Sequence, residues 1–302
     1  MKQINILQFR ERFPIIPNRL IIFFKVGLVV IMLSSMSGCR KKVIIPVDEL
    51  GCWINIEFQH INSDTNCCDV SGGTLIFDTL IYTNEAGNRY LVNEIQYFIS
   101  YVTLYNNNGS VIIADQWEPI HYVDTDFPET WNWTIGDSFP AGEYDSLSFT
   151  FGIPDEKNIS FMYVNPPERD MFWPEYLGGG YHSMKLNGKW VEAGQTTQTT
   201  PFDFHIGRGQ IYQSYPDSII GFVPNDFKVT LFQSGFTLID GVINGFSLNM
   251  DVGEWFKEPH VFDFDEWGGY IMQNQDAMQT AKENGGNVFS ARWPLGLIYP
   301  TK

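Results

Sequence analysis

The five histidines of this chain are the residues whose chemistry is most easily judged from type and position. They lie at positions 60, 121, 182, 205 and 260. Three occur where strand-like segments end among aromatic residues, in Phe58-x-His60, His121-Tyr122 and Phe204-His205. A neutral imidazole in a partly apolar pocket suits Cu(I), whose ligands are few and soft or borderline. Large sequence distances separate the histidines, so a shared metal site depends on the fold, and each could equally be an ordinary strand residue.

The stretch from Met171 to Gly207 combines one of these histidines with an aromatic cluster. It contains Met171-Phe172-Trp173, Gly180-Tyr181-His182, Lys185-Leu186-Asn187-Gly188 and Phe204-His205-Ile206-Gly207. An apolar aromatic pocket that ends on an imidazole could hold a soft metal. The same residues could also be plain hydrophobic core, which is the usual place of large apolar side chains.

Residues 1–38 have the pattern of a signal peptide. Basic residues such as Arg10 and Lys25 precede an apolar run, Val26 to Leu33, that is too short to span a bilayer. The following Ser37-Gly38-Cys39 resembles the bacterial lipobox. That resemblance implies cleavage before Cys39, acylation of its thiol and a tether over residues 39–51, with an uncleaved anchor as the alternative. Both place the domain on a tether outside the cytoplasm. The lipid-anchored form is predicted in the cell envelope, at the outer membrane and facing the periplasm or the surface.

Three further cysteines, Cys52, Cys67 and Cys68, would lie in an oxidising compartment if the chain is exported. A disulfide from Cys52 to Cys67 or Cys68 is therefore expected. It would close a loop of about fifteen residues and contribute roughly 3 kcal/mol in the chain-entropy model. The adjacent pair could alternatively ligate Cu(I) as thiolates.

The charge of the chain argues against two classes of partner. The formal net charge is −16, and after residue 38 the chain has 14 basic and 34 acidic residues. Such a surface repels nucleic acid and anionic lipid headgroups, which makes neither a suitable partner for the domain. Solubility is the simplest role for most of this charge.

Short strands at near-regular spacing predict a single all-β domain over residues 52–302. Asn93 to Tyr105 is apolar on both faces and reads as a central strand. The strand that follows the turn at Pro140 to Tyr144 alternates cleanly, with Leu147, Phe149 and Phe151 on one face. Only Gln275 to Glu283 reads as a helix, with Asn274 as its N-cap. The pattern favours an antiparallel β-sandwich, Greek-key or jelly-roll-like, with one short C-terminal helix.

Three other groups of residues could bind a ligand or act in catalysis, but their patterns are less specific. The acidic run Asp263, Asp265 and Glu266 could bind Ca²⁺ but fits no standard loop, and a solvated face is the simpler interpretation. The acidic pairs at 155–156 and 168–170 could suggest a glycosidase, although nothing fixes their separation. Three loop tryptophans could stack on sugar rings, at positions 131, 133 and 190.

The order of the motifs resembles the MbnP-like copper-binding domain over about residues 53–290. Each motif alone is weak, and their succession is what makes the match specific. The motifs are Phe58-x-His60, Ile95-x-Tyr97-Phe98-Ile99-Ser100, His121-Tyr122-Val123-Asp124, Pro140-Ala141-Gly142-Glu143-Tyr144, Phe149-x-Phe151-Gly152-Ile153, Met171-Phe172-Trp173, Gly180-Tyr181, Lys185-Leu186-Asn187-Gly188, Phe204-His205-Ile206-Gly207 and Val252-x-x-Trp255-Phe256.

The resemblance implies an exported β-sandwich that binds copper as Cu(I). In that family two histidines and a tryptophan oxidised to kynurenine hold the metal, and a dihaem partner of the MbnH type makes the modification. By position His60 and His121 correspond to the two histidines, with His205 third as a ligand or as a donor that orients one. Trp173 and Tyr181 would form the pocket wall.

One departure from the family concerns the oxidised tryptophan, which should closely follow the first histidine. Residues 62–68 contain none, so Cys67 or Cys68 is the hypothetical substitute. The predicted work is binding copper or handing it over at the cell envelope, and not catalysis. The expected partner is the dihaem peroxidase or a copper-uptake receptor. The rival is a surface lipoprotein that binds a glycan or a protein without metal.

Overall fold

The computed structural model describes residues 51–64, 73–106, 109, 111–114 and 118–298, and this part of the chain is built mainly of β-strands. The signal peptide, Cys39, most of the tether, Cys67 and Cys68 lie outside the described residues. The strands in chain order are β1 (Trp53–Asn62), β2 (Gly73–Thr74), β3 (Tyr82–Thr83), β4 (Arg89–Tyr105), β5 (Val111–Ile113), β6 (Ile120–Asp124), β7 (Asn132–Thr134), β8 (Gly142–Phe151), β9 (Met184–Trp190), β10 (Thr200–Ile206), β11 (Gly209–Ser214), β12 (Ser218–Val223), β13 (Phe227–Leu238), β14 (Ile243–Asp251) and β15 (Phe289–Ile298).

Helices are few and short in the same part of the chain. The α-helices are α1 (Phe264–Trp267) and α2 (Gln275–Asn284), and single 3-10 turns occur at Pro128–Trp131, Glu168–Met171, Glu175–Leu177 and Val252–Phe256. The predicted cap of α2 is confirmed, because the Asn274 side chain accepts a hydrogen bond from the Ala277 amide. No helix among the described residues has the length and hydropathy to cross a bilayer.

Two sheets form the sandwich. One has the order β15-β14-β1-β2, with β7 also paired to β1, and the other has the order β10-β9-β4-β8-β13, with β3, β5 and β6 along β4. Strands β11 and β12 form a separate hairpin. All pairs are antiparallel except β1 with β14, which run parallel. The predicted all-β sandwich is thus confirmed. The parallel pairing of β1 with β14 was not predicted from the sequence.

The core explains why β1 and β4 position the site. Every second residue of β1 from Ile54 to Asn62 is buried, as a strand with one core face requires. In β4 the residues Tyr97, Phe98, Ile99 and Ser100 are all buried. Tyr97 joins the main core, whereas Phe98 belongs to a second cluster on the other face of the sheet. The interpretation of β4 as a strand packed on both sides is therefore confirmed.

Candidate functional site

His60 faces the core from the end of β1. Its side chain follows Ile56 and Phe58 on the inward face of the strand and is only 7% exposed. Its Nε2 lies 3.2 Å from the hydroxyl of Tyr97 in the opposite sheet, and its ring packs edge-on against Tyr97 and Trp131. Burial raises the pKa of Tyr97, so this hydroxyl keeps its proton and remains available as a partner for the imidazole.

His121 is held between two aromatic rings. It lies on β6 opposite Ile99 of β4. Its ring is stacked on Phe58, with centroids 5.3 Å apart, and on Trp133, with centroids 5.0 Å apart. Its Nε2 is 2.7 Å from the carbonyl oxygen of Thr130. A carbonyl can only accept, so Nε2 carries the proton and Nδ1 carries the lone pair that a metal would need.

One short turn connects the two histidines. The 3-10 turn Pro128–Trp131 supplies the Thr130 carbonyl to His121 and the Trp131 ring, whose centroid is 6.2 Å from that of His60. The Trp131 indole donates to the Asp124 carbonyl at the end of β6, which fixes the turn against the sheet. Phe58, the stacking partner of His121, is two residues from His60 on the same strand face. Both imidazoles therefore belong to one run of aromatic rings, in which each contacts its aromatic neighbours and not the other imidazole.

The pocket meets an open cleft of about 240 Å³. His60 lines this cleft together with Phe58, Leu75, Phe77 and Trp131. Glu57, Gln59 and Thr74 also line the cleft, so its wall combines apolar and polar side chains. A small ion could approach His60 from this side.

Burial keeps both imidazoles neutral. It lowers the pKa of His60 to about 4 and that of His121 to about 4, the Thr130 carbonyl opposing the second shift. Both side chains are therefore in the metal-binding form at neutral pH, with no proton to displace. The donor set of two neutral nitrogens in apolar surroundings fits Cu(I) better than a hard cation.

His205 does not join this pocket. On β10 it alternates with Phe204 and Ile206, which lie in the main core, so its side chain points to the opposite face of the sheet. There its ring centroid is 5.1 Å from that of His182. Among the described residues no three His, Cys, Asp or Glu side chains converge on a point that could hold a metal ion.

Trp173 and Tyr181 also lie away from His60 and His121. Both are fully buried. Trp173 packs edge-on against His182, with centroids 4.7 Å apart, and Tyr181 belongs to the second cluster with Phe98. Trp173 is also part of the main core, and the ring partners of Tyr181 are Phe98, Tyr163 and Phe172. Neither residue has a ring contact with His60 or His121 among the described residues, where a pocket wall was predicted.

Cys52 has a free thiol in the structure, contrary to the predicted disulfide. The thiol is buried and donates to the Phe139 carbonyl, and burial raises its pKa to about 11. Strand β1 carries the chain about 33 Å from Cys52 to Asn62. The two predicted partners of Cys52, which are Cys67 and Cys68, are not among the described residues. Thiolate ligation by Cys67 or Cys68 lies outside the described residues.

The weaker candidates have structural partners. Asp263 caps α1, and Asp265 accepts hydrogen bonds from Asn88 and from the Trp190 indole. Asp155 is paired with Arg208 at 2.7 Å. Of the three tryptophans considered for sugar stacking, Trp133 and Trp190 are buried and Trp131 is half-buried against His60.

Sequence reasoning missed four contributors to these sites. Tyr97, Thr130 and the stacking role of Trp133 all depend on contacts between distant segments. His182 was noted only as a member of a motif. The one local signal for Tyr97 was its place on the core face of a strand that is apolar on both sides.

This chain resembles known proteins at two levels, a family model and a solved structure. A family model described as MbnP matches residues 54–275. Among solved structures, MbnP from Methylosinus trichosporium is similar, with 13% identity and a TM-score of 0.47, covering 80% of this chain and 98% of that one. No curated protein matches the chain.

Proposed function

The chain belongs to the MbnP family, and from this premise we propose that it binds copper as Cu(I) through His60 and His121 and stores it or hands it over in the cell envelope. The observation that carries the proposal is the pair of neutral imidazoles, His60 buried and His121 half-buried, which lie along one run of aromatic rings. Acylation of Cys39 would attach the protein to the membrane. A dihaem peroxidase of the MbnH type or a copper-uptake receptor is the proposed partner.

The residues of the pocket have separable roles. Nδ1 of His121 would bind the metal, because Nε2 is committed to the Thr130 carbonyl. The Tyr97 hydroxyl would hold Nε2 of His60, which leaves Nδ1 as the ligand atom. Such a second partner fixes the ring and raises the basicity of the ligand nitrogen. Phe58 and Trp133 prevent His121 from rotating, and the apolar walls disfavour the more highly charged Cu(II).

A tryptophan is also present in the pocket. None follows His60 directly in the sequence, yet the fold places Trp131 beside its ring and Trp133 on His121. Oxidation of Trp131, which borders the open cleft, would bring an additional oxygen or nitrogen donor next to His60. Trp131, in the 3-10 turn after β6, is therefore our proposed counterpart of the oxidised tryptophan, with the dihaem peroxidase as the proposed oxidant.

Removing either histidine should abolish tight copper binding. We expect His60→Ala and His121→Ala, each as the full chain purified without oxygen, to bind Cu(I) at least about 100-fold more weakly than the unaltered chain, since losing a ligand costs more than losing its orienting partner. Competition with a colorimetric Cu(I) chelator measures the affinity. His260→Ala is the matched control, because that imidazole is exposed and contacts the surface carboxylate of Glu283.

The proposal fails if the unaltered chain retains no Cu(I), or if the affinity of both variants equals that of His260→Ala. In that case a metal-free module that binds a glycan or a protein would be the better description. The buried positions of Trp133 and Trp190 favour copper over that rival.

Tyr97→Phe should weaken copper binding without unfolding the protein. The substitution removes only the hydroxyl that contacts Nε2 of His60, and loss of an orienting partner typically costs about 10–100-fold in metal affinity. Tyr144→Phe is the control, because its hydroxyl donates to the Pro140 carbonyl, outside the pocket. Equal Cu(I) affinities of the two variants would show that Tyr97 does not orient His60.

A further inference from the structure

A cleft away from the proposed copper site collects three exposed tyrosines. This tyrosine cleft consists of two adjoining open cavities of about 440 Å³ and about 430 Å³. Tyr215, Gln273 and Asn274 line both cavities, and Tyr176 and Tyr270 line the second. The tyrosine cleft shares no lining residue with the cleft of the proposed copper site. Each cavity has the size of a ligand site, for which about 300–1,000 Å³ is usual.

The tyrosines of this cleft expose most of their surface. Tyr176 is 69% exposed, Tyr215 66% and Tyr270 65%, and they are the three exposed tyrosines in the part of the chain that the structure describes. Leaving a large ring in water forgoes the free energy that its burial would release. Three such rings around one cleft therefore indicate a surface that a ligand covers.

The fold holds the tyrosine cleft in shape. Gln210 is buried, and its amide donates to the carbonyl of Leu177, which joins β11 to the 3-10 turn that carries Tyr176. On the other side, Tyr270 forms a β-bridge with Asp203 of β10. A site that is already formed loses little conformational entropy when a ligand binds.

The aromatic rings of the cleft suit the flat apolar faces of sugar rings. The face of an aromatic ring carries partial negative charge, whereas the C–H groups on the face of a pyranose carry partial positive charge. Trp267 adds a ring that is held in place by stacking on Phe262, with centroids 6.1 Å apart. Tyr212 supports Tyr215 edge-on, with centroids 5.1 Å apart. Rings held in this way lose little side-chain freedom when a sugar packs on them.

The polar side chains of the cleft supply the partners that sugar hydroxyls need. Gln273 and Asp276 line the cleft, and neither side chain has a hydrogen-bonding partner among the described residues. An amide group both donates and accepts, whereas a carboxylate only accepts. A hydroxyl can do both, so it satisfies either group. Aromatic rings beside unpaired amide and carboxylate groups therefore match the two kinds of surface that a sugar presents.

The charge of the lining selects the class of ligand. Among the described residues that line the two cavities none is Lys, Arg or His, and Asp276 contributes a carboxylate. An acidic sugar or a phosphate would find no cationic partner and would meet that carboxylate. A proline-rich peptide would fit the tyrosine rings, but proline has no N–H group to donate to the carboxylate. A neutral oligosaccharide meets neither obstacle.

We propose that the tyrosine cleft binds a neutral oligosaccharide, with Tyr215 and Tyr270 stacking on its sugar rings and with Gln273 and Asp276 binding its hydroxyls. The two adjoining cavities provide room for more than one sugar unit. This site is separate from the proposed copper site, and it stands or falls without it.

Binding of the full chain to an array of hexasaccharides tests the proposal. The array carries neutral hexamers of glucose, xylose, mannose and galactose, with oligogalacturonate as the acidic counterpart. We expect a neutral hexamer to bind, and Tyr215→Ala and Tyr270→Ala each to weaken it about 5–10-fold in calorimetric titration, the order expected for one aromatic contact. Tyr215→Phe keeps the ring and should retain most of the affinity. Phe161→Ala, which removes an exposed ring outside the cleft, is the matched control.

The inference is overturned if the unaltered chain binds none of the neutral hexamers, or binds oligogalacturonate more tightly than all of them. Equal sugar affinities of Tyr215→Ala and Phe161→Ala would also contradict it, as would binding of a decaproline peptide in place of the sugars. The proposed function is tested apart from this site. His60→Ala should keep the sugar and lose copper, whereas Tyr215→Ala should keep copper, so the failure of one proposal is distinguishable from the failure of the other.

Discussion

Gly188→Ala should destabilise the protein by about 3 kcal/mol or more, since overpacking a close-packed interior costs about 1–3 kcal/mol and more where the neighbour is rigid. Gly188 is buried in β9 between β4 and β10. A Cβ at this position would lie 2.3 Å from the carbonyl oxygen of Leu91 and 2.3 Å from Cζ of Phe202. The first contact is with backbone, so β9 and β4 would have to separate.

Chemical denaturation and thermal unfolding measure this effect. For a domain of this size, about 3 kcal/mol corresponds to a fall in Tm of roughly 6–12 °C. Gly221→Ala is the matched control, because Gly221 also lies in a strand and its Cβ would be in ordinary contact, 3.4 Å from Ile211. If both variants unfold at the same temperature, the close approach at Gly188 is not the constraint that the structure indicates.

The same substitution should also affect the histidine pair His182 and His205. Asn187 directly precedes Gly188, and its amide holds Nε2 of His205. A displaced β9 would move that amide before it moved His60, which lies in the other sheet. Sheet packing and the orientation of His205 are therefore coupled through two adjacent residues.

Local sequence patterns are sufficient to predict the framework of the fold. The two apolar faces of β4 and the Asn274 cap of α2 are determined by neighbouring residues, and both were confirmed. The segment Phe127 to Pro140 was interpreted as a loop but contains the Pro128–Trp131 turn and β7. Strand β7 has three residues and pairs with β1, about 75 positions earlier, so no periodicity within the segment could reveal it.

Distant contacts determine the candidate sites. The motif order selected His60 and His121, but their shared pocket depends on Phe58, Tyr97 and the turn after β6. The predicted disulfide of Cys52 was wrong because sequence separation was taken as spatial proximity, whereas an extended strand separates the ends. The sequence does not single out His182, because its contacts are with Met171 and His205, which only the folded sheet brings near it.

Lowering the pH from 7 to 4 should remove much of the stability of the metal-free protein. Burial keeps four imidazoles neutral in the folded state: it lowers the pKa of His60 and of His121 to about 4 and of His205 to about 3, and it holds the pKa of His182 well below its usual value. In the unfolded chain histidines take up protons near pH 6.5. The unfolded state therefore binds more protons between pH 6.5 and 4, and the free energy of unfolding falls as the pH falls.

The size of the effect follows from the difference between each pKa in the folded state and in the unfolded state. A histidine pKa lowered from 6.5 to about 4 corresponds to about 3 kcal/mol. Asp64 acts in the opposite direction, because burial raises its pKa to about 6, which offsets about 3 kcal/mol as the pH falls to 4. Burial also raises the pKa of Glu94, Asp203 and Asp226, which adds to this offset. With four histidines against these carboxyl groups, we expect a net loss of about 5 kcal/mol, comparable to the whole stability of many domains.

Urea denaturation at pH 7, 5.5 and 4.5 measures the loss, and a histidine variant identifies its source. His121→Gln keeps a neutral side chain at all three pH values, so its stability should depend less on pH than that of the unaltered chain, by up to about 3 kcal/mol. His260→Gln, at an exposed position, should leave the slope unchanged. If the free energy of unfolding is the same at pH 7 and pH 4.5, protonation of the buried imidazoles does not destabilise the protein. The same conclusion follows if the free energy of unfolding depends equally on pH in the two variants. A bound soft metal ion should shift the loss to lower pH, because a proton must then displace the ion before it can reach the ring.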